Sequence, residues 1–209
     1  MKHLFLLLLI LPLSLFATMY NGTVTLNNGT VKNGLIRIPK YNSGKIRFKE
    51  NAAAGTEKIS INDVKEFVIF DAHNKAITYV PVKTSNPGWF NRHYKTRSQK
   101  SWLQLIKKGK INLLVLHYTV PAVSGNVGTV LTPCYGVYVQ KQEEDFCSYI
   151  YLTPLGHRIT TRDYKDVKAT LNLLFNTVCP KMITSFKEDD FKFYGPELIA
   201  SLYNAHCSN

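Results

Sequence analysis

The stretch "NGTVTLNNGTVKNGLI", residues 21–36, decides how the start of this chain folds, because NGTV occurs in it twice. Each copy also matches the Asn-x-Thr acceptor pattern for N-glycosylation, at Asn21 and at Asn28. A turn explains more of the pattern. With Asn28-Gly29 as the two central residues of a type I′ turn, both at positive φ, Leu26 faces Val31 and Thr25 faces Lys32. Apolar partners then share one face and polar partners the other, as a half-buried hairpin requires. Past Asn33-Gly34 the apolar residues become Ile36 and Ile38, a change of parity that a β-bulge at Gly34 would produce. Both NGT sites therefore read as backbone geometry rather than as glycan acceptors.

The period of two continues downstream. Ile46 and Phe48 alternate with Lys45, Arg47 and Lys49, and strands over Glu66–Phe70 and Ala76–Val80 flank a turn at residues 71–74. Trp102–Ile106 and Ile111–Tyr118 join through the basic turn at residues 107–110, an ordinary hairpin turn in this reading. Ile111–Leu116 is apolar at both parities, which predicts a strand covered on both sides. Tyr135–Gln140 and Phe146–Leu152 form the last hairpin, around the acidic residues Glu143, Glu144 and Asp145. Then the period changes: Tyr164, Val167, Leu171, Leu174, Phe175 and Val178 recur every three or four residues, the stripe of an amphipathic helix. Thr161 is its expected N-cap, and Pro180 its stop. A second helix starts at Gly195-Pro196. Strands first and helices last make an α+β chain. Its β-rich part is hairpins forming a small barrel or a sandwich, followed by two or three helices.

Residues 1–17, MKHLFLLLLILPLSLFA, have the layout of a secretory signal peptide: one lysine, a short apolar run and a small residue before Thr18. The apolar core is too short for a membrane span of about 20 residues, and no later stretch is long and apolar enough to span. The formal charge of +12 loses only Lys2 with this leader. After export such a charge points to an anionic envelope component or an acidic protein, and nucleic acid is not expected as a partner. The expected organisation is the leader, a β-rich subdomain over residues 18–84, a basic and aromatic linker or loop over 85–100, and hairpins with C-terminal helices over 101–209. Four cysteines in an oxidising compartment permit three pairings. Cys179 and Cys207 flank the helical region, which favours a bridge between them. Cys134 and Cys147 lie on neighbouring strands and are the second expected pair. A turn at Glu143-Glu144, however, sets Cys147 opposite Gln140 and leaves Cys134 several residues away.

No HExxH, G-x-S-x-G, Ser-x-x-Lys, P-loop or dinucleotide-binding glycine pattern is present, so no cofactor or metal is expected. Cys147 with His157 is an imaginable nucleophile pair, and a disulfide or an inert thiol is the better reading of Cys147 in an exported protein. His117, in an apolar strand, reads as a satisfied core residue. The segment "SNPGWFNRHYKTRSQK", residues 85–100, holds the candidate binding residues. Trp89, Phe90 and Tyr94 offer faces for stacking, and Arg92, His93, Lys95 and Arg97 offer donors for phosphate or carboxylate.

The order GTVTLNNGTVKNGLI, KIRFK, DVKEFVIF, SWLQLIKKGKINLLV, YVQKQEED, LFNTVCP and ELIASLYNAHC resembles a family of uncharacterised exported envelope proteins of Bacteroidetes-type Gram-negative bacteria. Members carry a G-x-I-x₃-G-D-T-x-x-G-L-I opening, where this chain has Asn28-Gly29-Thr30 in place of Gly-Asp-Thr. Some append an outer-membrane barrel that this chain lacks. The resemblance implies an envelope location and the Cys179–Cys207 pairing, and transfers no activity. The expected function is a non-enzymatic binding or accessory module, in the periplasm or at the cell surface. Its ligand would be an anionic envelope component, or its partner an outer-membrane protein. The alternative is a hydrolase of envelope glycan or peptide with a site between the β and helical parts.

Overall fold

Gly29 turns the first hairpin, and it does so differently from the expected I′ geometry. In the computed structural model, which describes residues 18–88, 93–124 and 128–207, Gly29 has φ +86° while Asn28 keeps a negative φ. The first pair is Leu26 N–H to Thr30 C=O (2.8 Å), leaving three loop residues, and Thr25 lies opposite Val31. This is a three-residue loop ending in a left-handed glycine, closed by the Asn28 side chain accepting from Thr30 N–H (3.0 Å). The register is therefore one residue off the expected pairing. That single slip puts Val31 on the exposed face and removes the need for a bulge at Gly34. Gly34 instead pairs with Gly22 in an unbroken ladder. A Cβ on Gly22 would lie 2.1 Å from the Val68 carbonyl oxygen, and one on Gly34 2.2 Å from that of Lys49. These glycines permit close strand approach.

Strands β1 (Tyr20–Leu26), β2 (Val31–Arg37), β3 (Lys45–Lys49), β4 (Glu57–Ser60) and β5 (Val64–Phe70) pair in the order β5-β1-β2-β3-β4. They enclose Val24, Ile36, Ile46, Phe48, Ile59 and Phe67. β4 is absent from the sequence reading because EKIS is four residues long with a single buried residue, Ile59. The 12-residue β6 (Ala76–Pro87) then joins two regions. Ala76–Tyr79 of it pair with β5; from Thr78 to Pro87 it pairs with β7 (Tyr94–Lys107) and, in parallel, with β10 (Phe146–Pro154) at Lys83–Ser85. Between them run β8 (Ile111–Ser124) and β9 (Gly128–Lys141), so the pairings β6-β7-β8-β9-β10 return to β6. All ten strands of the described residues belong to one sheet.

The expected linker over residues 85–100 is mostly strand. Ser85, Asn86 and Pro87 pair with Thr96, Lys95 and Tyr94, and Gly88 N–H bonds the His93 carbonyl (2.8 Å). Pro87 and Gly88 sit at the hairpin end, where a missing ladder donor is tolerated. Trp102 ties the two regions together: its ring meets Phe67 edge-on at 5.3 Å, and its Nε1 donates to the Ser43 carbonyl (2.8 Å).

Leu114, Leu116, Tyr138 and Cys147 point into the circuit of strands, while Ile111, Leu113, Val137, Val139 and Ile150 point out against the helices. Apolar residues at both parities of β8 thus follow from burial on both faces. Four helices among the described residues, more than expected, cover the outer side: α1 (Thr161–Phe175), α2 (Pro180–Ser185), α3 (Glu188–Tyr194) and α4 (Glu197–His206). Thr160, not Thr161, caps α1, in a reciprocal capping box with Asp163. Val178 lies beyond the end of α1 and is 56% exposed, and Pro180 opens α2. Cys179 and Cys207 form a disulfide. Cys134 and Cys147 are free and buried. Cys134 sits opposite Pro154, and Ser148 opposite Val139, so Cys147 lies opposite Gln140, several residues along the hairpin. Disulfide geometry demands Cα atoms within about 7 Å, which this register forbids. No described helix is long and apolar enough to cross a membrane. The leader over residues 1–17, Trp89, Phe90 and Arg92 lie outside the described residues.

Candidate functional site

Strand alternation divides the described candidates of residues 85–100 between two faces. The Tyr94 hydroxyl donates to the Tyr149 carbonyl (2.7 Å), and Tyr94 lines a hollow under α1 with Asp166 and Leu173. Burial pushes its pKa up to about 12, so it serves packing. His93 is exposed at the hairpin end, and Lys95 is exposed opposite Asn86. Arg97 lies at a register break: Lys83 pairs with Lys100 and Ser85 with Thr96, so three residues of β7 stand against Thr84 alone. The break turns Arg97 toward the mouth of the strand circuit.

There it meets a cleft of about 220 Å³. Its aromatic lining is Tyr41, Tyr118, Tyr138 and Tyr149, and its polar lining is Thr84, Asn86, Arg97 and Ser101, with Leu116 beside them. Tyr138 and Tyr149 meet edge-on at 5.6 Å, and Tyr41 and Tyr118 lie tilted at 6.2 Å. The Tyr138 hydroxyl donates to Asn86 Oδ1 (3.0 Å), which leaves the Asn86 amide N–H groups for a ligand. Burial raises the pKa of Tyr138 far above that of a free phenol, Cys147, Tyr118 and Tyr149 adding to the rise, and the Arg97 charge pulls it back down. Burial likewise raises Tyr149 and Tyr118. All three are neutral hydroxyls at physiological pH.

Thr84 and Ser101 are 2% and 5% exposed. Among the described residues their hydroxyls have no hydrogen-bond partner, and neither do those of Tyr41, Tyr118 and Tyr149. Arg97 has no carboxylate partner there either. Among the described residues the Tyr151 hydroxyl is the polar side-chain atom buried without a partner; the unpaired hydroxyls of Thr84, Ser101 and the tyrosines instead open onto the cleft. No protein-family model, curated protein or solved structure matches this chain. The chemistry of the site is therefore argued from its residues alone.

The cleft is poorly furnished for covalent chemistry. Cys147 lies in the core beneath it, its thiol donating to the Lys83 carbonyl (3.4 Å), and burial pushes its pKa far up. His157 bonds Asp163 (3.1 Å) at the start of α1, so the two form no nucleophile pair. His117 is exposed and bonded to Gln104 (3.0 Å), not a core residue. Asp145 and Glu144 are held in ion pairs with Lys83 and Lys141. The basic turn between β7 and β8 clasps α4: Lys110 N–H and Nζ bond Asn204 Oδ1 (3.0 Å) and the Cys207 carbonyl (2.9 Å). The sequence reading found Arg97 by its charge. It missed the tyrosines because they come from four separated segments, and nothing local marks them as neighbours.

Proposed function

We propose that this protein is an exported, non-enzymatic binding module for an anionic component of the cell envelope, with the tyrosine cleft as its site. The carrying observation is the convergence on one cleft of Arg97, the unpaired hydroxyls of Thr84 and Ser101, and the tyrosine rings. An acidic sugar residue satisfies all of them. Its carboxylate accepts from the Arg97 guanidinium, its hydroxyls pair with Thr84, Ser101 and Asn86, and its ring face lies on a tyrosine. A volume of about 220 Å³ suits one ring or the end of a chain. The circuit β6–β10 is read as a small barrel with the cleft as its mouth. The leader pattern and the positive charge support the envelope setting. No carboxylate lines the cleft, and the nearby thiol is neutral, which favours capture over hydrolysis.

Titration with glucuronate and with glucose, followed by amide NMR shifts, tests this. Glucuronate should bind and glucose should not, and Arg97→Gln should weaken glucuronate binding by at least tenfold, the worth of a charge-assisted hydrogen bond. Equal binding of the two sugars, or unchanged binding by the folded variant, overturns the reading.

A further inference from the structure

A second concavity, in the β1–β5 region, draws all of its charged lining from arginine and lysine. Arg37 of β2 stands directly opposite Arg47 of β3, and Arg47 directly opposite Lys58 of β4. Like charges directly opposed on one sheet face are destabilising, so this row asks for a counter-charge. The protein supplies none: among the described residues, none of Arg37, Lys40, Lys45, Arg47 and Lys58 is in an ion pair. The acid nearest by register, Glu57, sits opposite the buried Phe48, on the other face, and is held by Lys32 (2.7 Å). Lysine on the edge strand β4 is explained by protection against edge pairing. That does not account for the arginine pair, since β2 and β3 are paired on both sides.

Arg37, Lys40, Lys45 and Arg47 line a hollow of about 350 Å³ with no carboxylate in its wall. The loop that carries Lys40 is fixed before any ligand arrives. Trp102 N–H and Nε1–H bond the carbonyls of Tyr41 (3.0 Å) and Ser43 (2.8 Å), Ser43 N–H bonds that of Lys40 (2.9 Å), and Ile61 N–H that of Gly44 (2.9 Å). Lys40 and Asn42 face this hollow while Tyr41 lines the tyrosine cleft.

We propose that this hollow is a phosphate-binding site, separate from the cleft and standing whether or not the cleft binds an acidic sugar. Two opposed guanidiniums can each engage a different edge of one tetrahedral phosphate, with the lysines adding point charges. A planar carboxylate offers only two oxygens to one fork.

The test uses the full mature chain at low ionic strength, with sodium pyrophosphate as the soluble probe. Vesicles of phosphatidylglycerol, with phosphatidylcholine vesicles as control, are the lipid-headgroup probe. Wild type should bind pyrophosphate, with affinity falling as salt rises, and Arg37→Gln/Arg47→Gln should bind at least tenfold more weakly. That double variant should be no less stable than wild type, because it relieves a like-charge contact. Arg97→Gln should leave pyrophosphate binding unchanged, which separates this site from the cleft. Binding to the phosphatidylglycerol vesicles as well assigns the phosphate to a lipid headgroup; pyrophosphate binding alone assigns it to a soluble ligand. Absence of binding to either probe, or equal binding by the double variant, overturns the proposal.

Discussion

Breaking the Cys179–Cys207 bridge is the perturbation whose size the structure sets most directly. The bridge closes a segment of 28 residues that contains α2, α3 and α4. In the chain-entropy account, a closed loop of that length removes about 12 cal/mol/K from the unfolded chain, or about 3.6 kcal/mol at 25 °C. Reduction leaves both sulfurs in place and should cost about that much. Replacing both cysteines with alanine should cost more, because each is only 3% exposed in the core beneath the helices. Losing a buried group of that size adds roughly 0.8 kcal/mol per site, for a total near 5 kcal/mol. A chain of this length loses roughly 2–4 °C of Tm per kcal/mol, so reduced protein should melt roughly 7–14 °C below oxidised protein. Scanning calorimetry of the two forms, with non-reducing peptide mapping to confirm a single bridge, measures both quantities. A fall under about 3 °C would refute the reasoning. The helices would then be held by packing, and the loop would already be restrained in the unfolded chain.

Other outcomes follow from the same interior. The Tyr151 hydroxyl is buried without a hydrogen-bond partner; Tyr151→Phe removes that penalty and should raise stability by about 1 kcal/mol in urea unfolding, whereas a loss would mean the hydroxyl is satisfied in solution. Cys147, Tyr138 and Tyr151 are all raised, chiefly by burial, above their ordinary values of 9.0 and 10.0. Raised acids contribute their stability below their ordinary values and lose it as pH climbs, at up to about 1.4 kcal/mol per unit for each group, so the three together withdraw about 3 kcal/mol between pH 10 and 11. Phenolate absorbance that develops near pH 10 for all tyrosines with the fold intact would contradict this. Thr160→Ala breaks the capping box of α1 and should cost about 1 kcal/mol in the same unfolding assay; no change would assign the cap to water.

The elements with long, unbroken periods were legible. The stripe from Tyr164 to Phe175 predicts α1, and alternation in KIRFK, Glu66–Phe70 and Phe146–Leu152 predicts β3, β5 and β10. Short elements were not: β4 and α3 are too brief for a period to show, and α2 begins at a proline that reads equally well as a stop. The first hairpin shows a further limit. One residue of register separates the expected turn from the observed one, and both satisfy the local alternation; only packing of Val24 against Phe67 and Trp102 in the core chooses between them. The segment 85–100 misleads because proline, glycine and charge mark a loop, while the ladder between β6 and β7 rests on backbone groups that composition does not reveal.

What the sequence determined by itself is whatever depends on neighbours along the chain. That covers the succession of strands then helices, the positive charge, and the bridge between cysteines that bracket one helical segment. What the tertiary structure decided depends on residues far apart in the chain. Tyr41, Arg97, Tyr118, Tyr138 and Tyr149 become one cleft because β10 returns to pair with β6. Arg37, Arg47 and Lys58 become one row because β2, β3 and β4 meet in that register. Strand order and register are settled by burial summed over the whole sheet, and no single segment carries that sum.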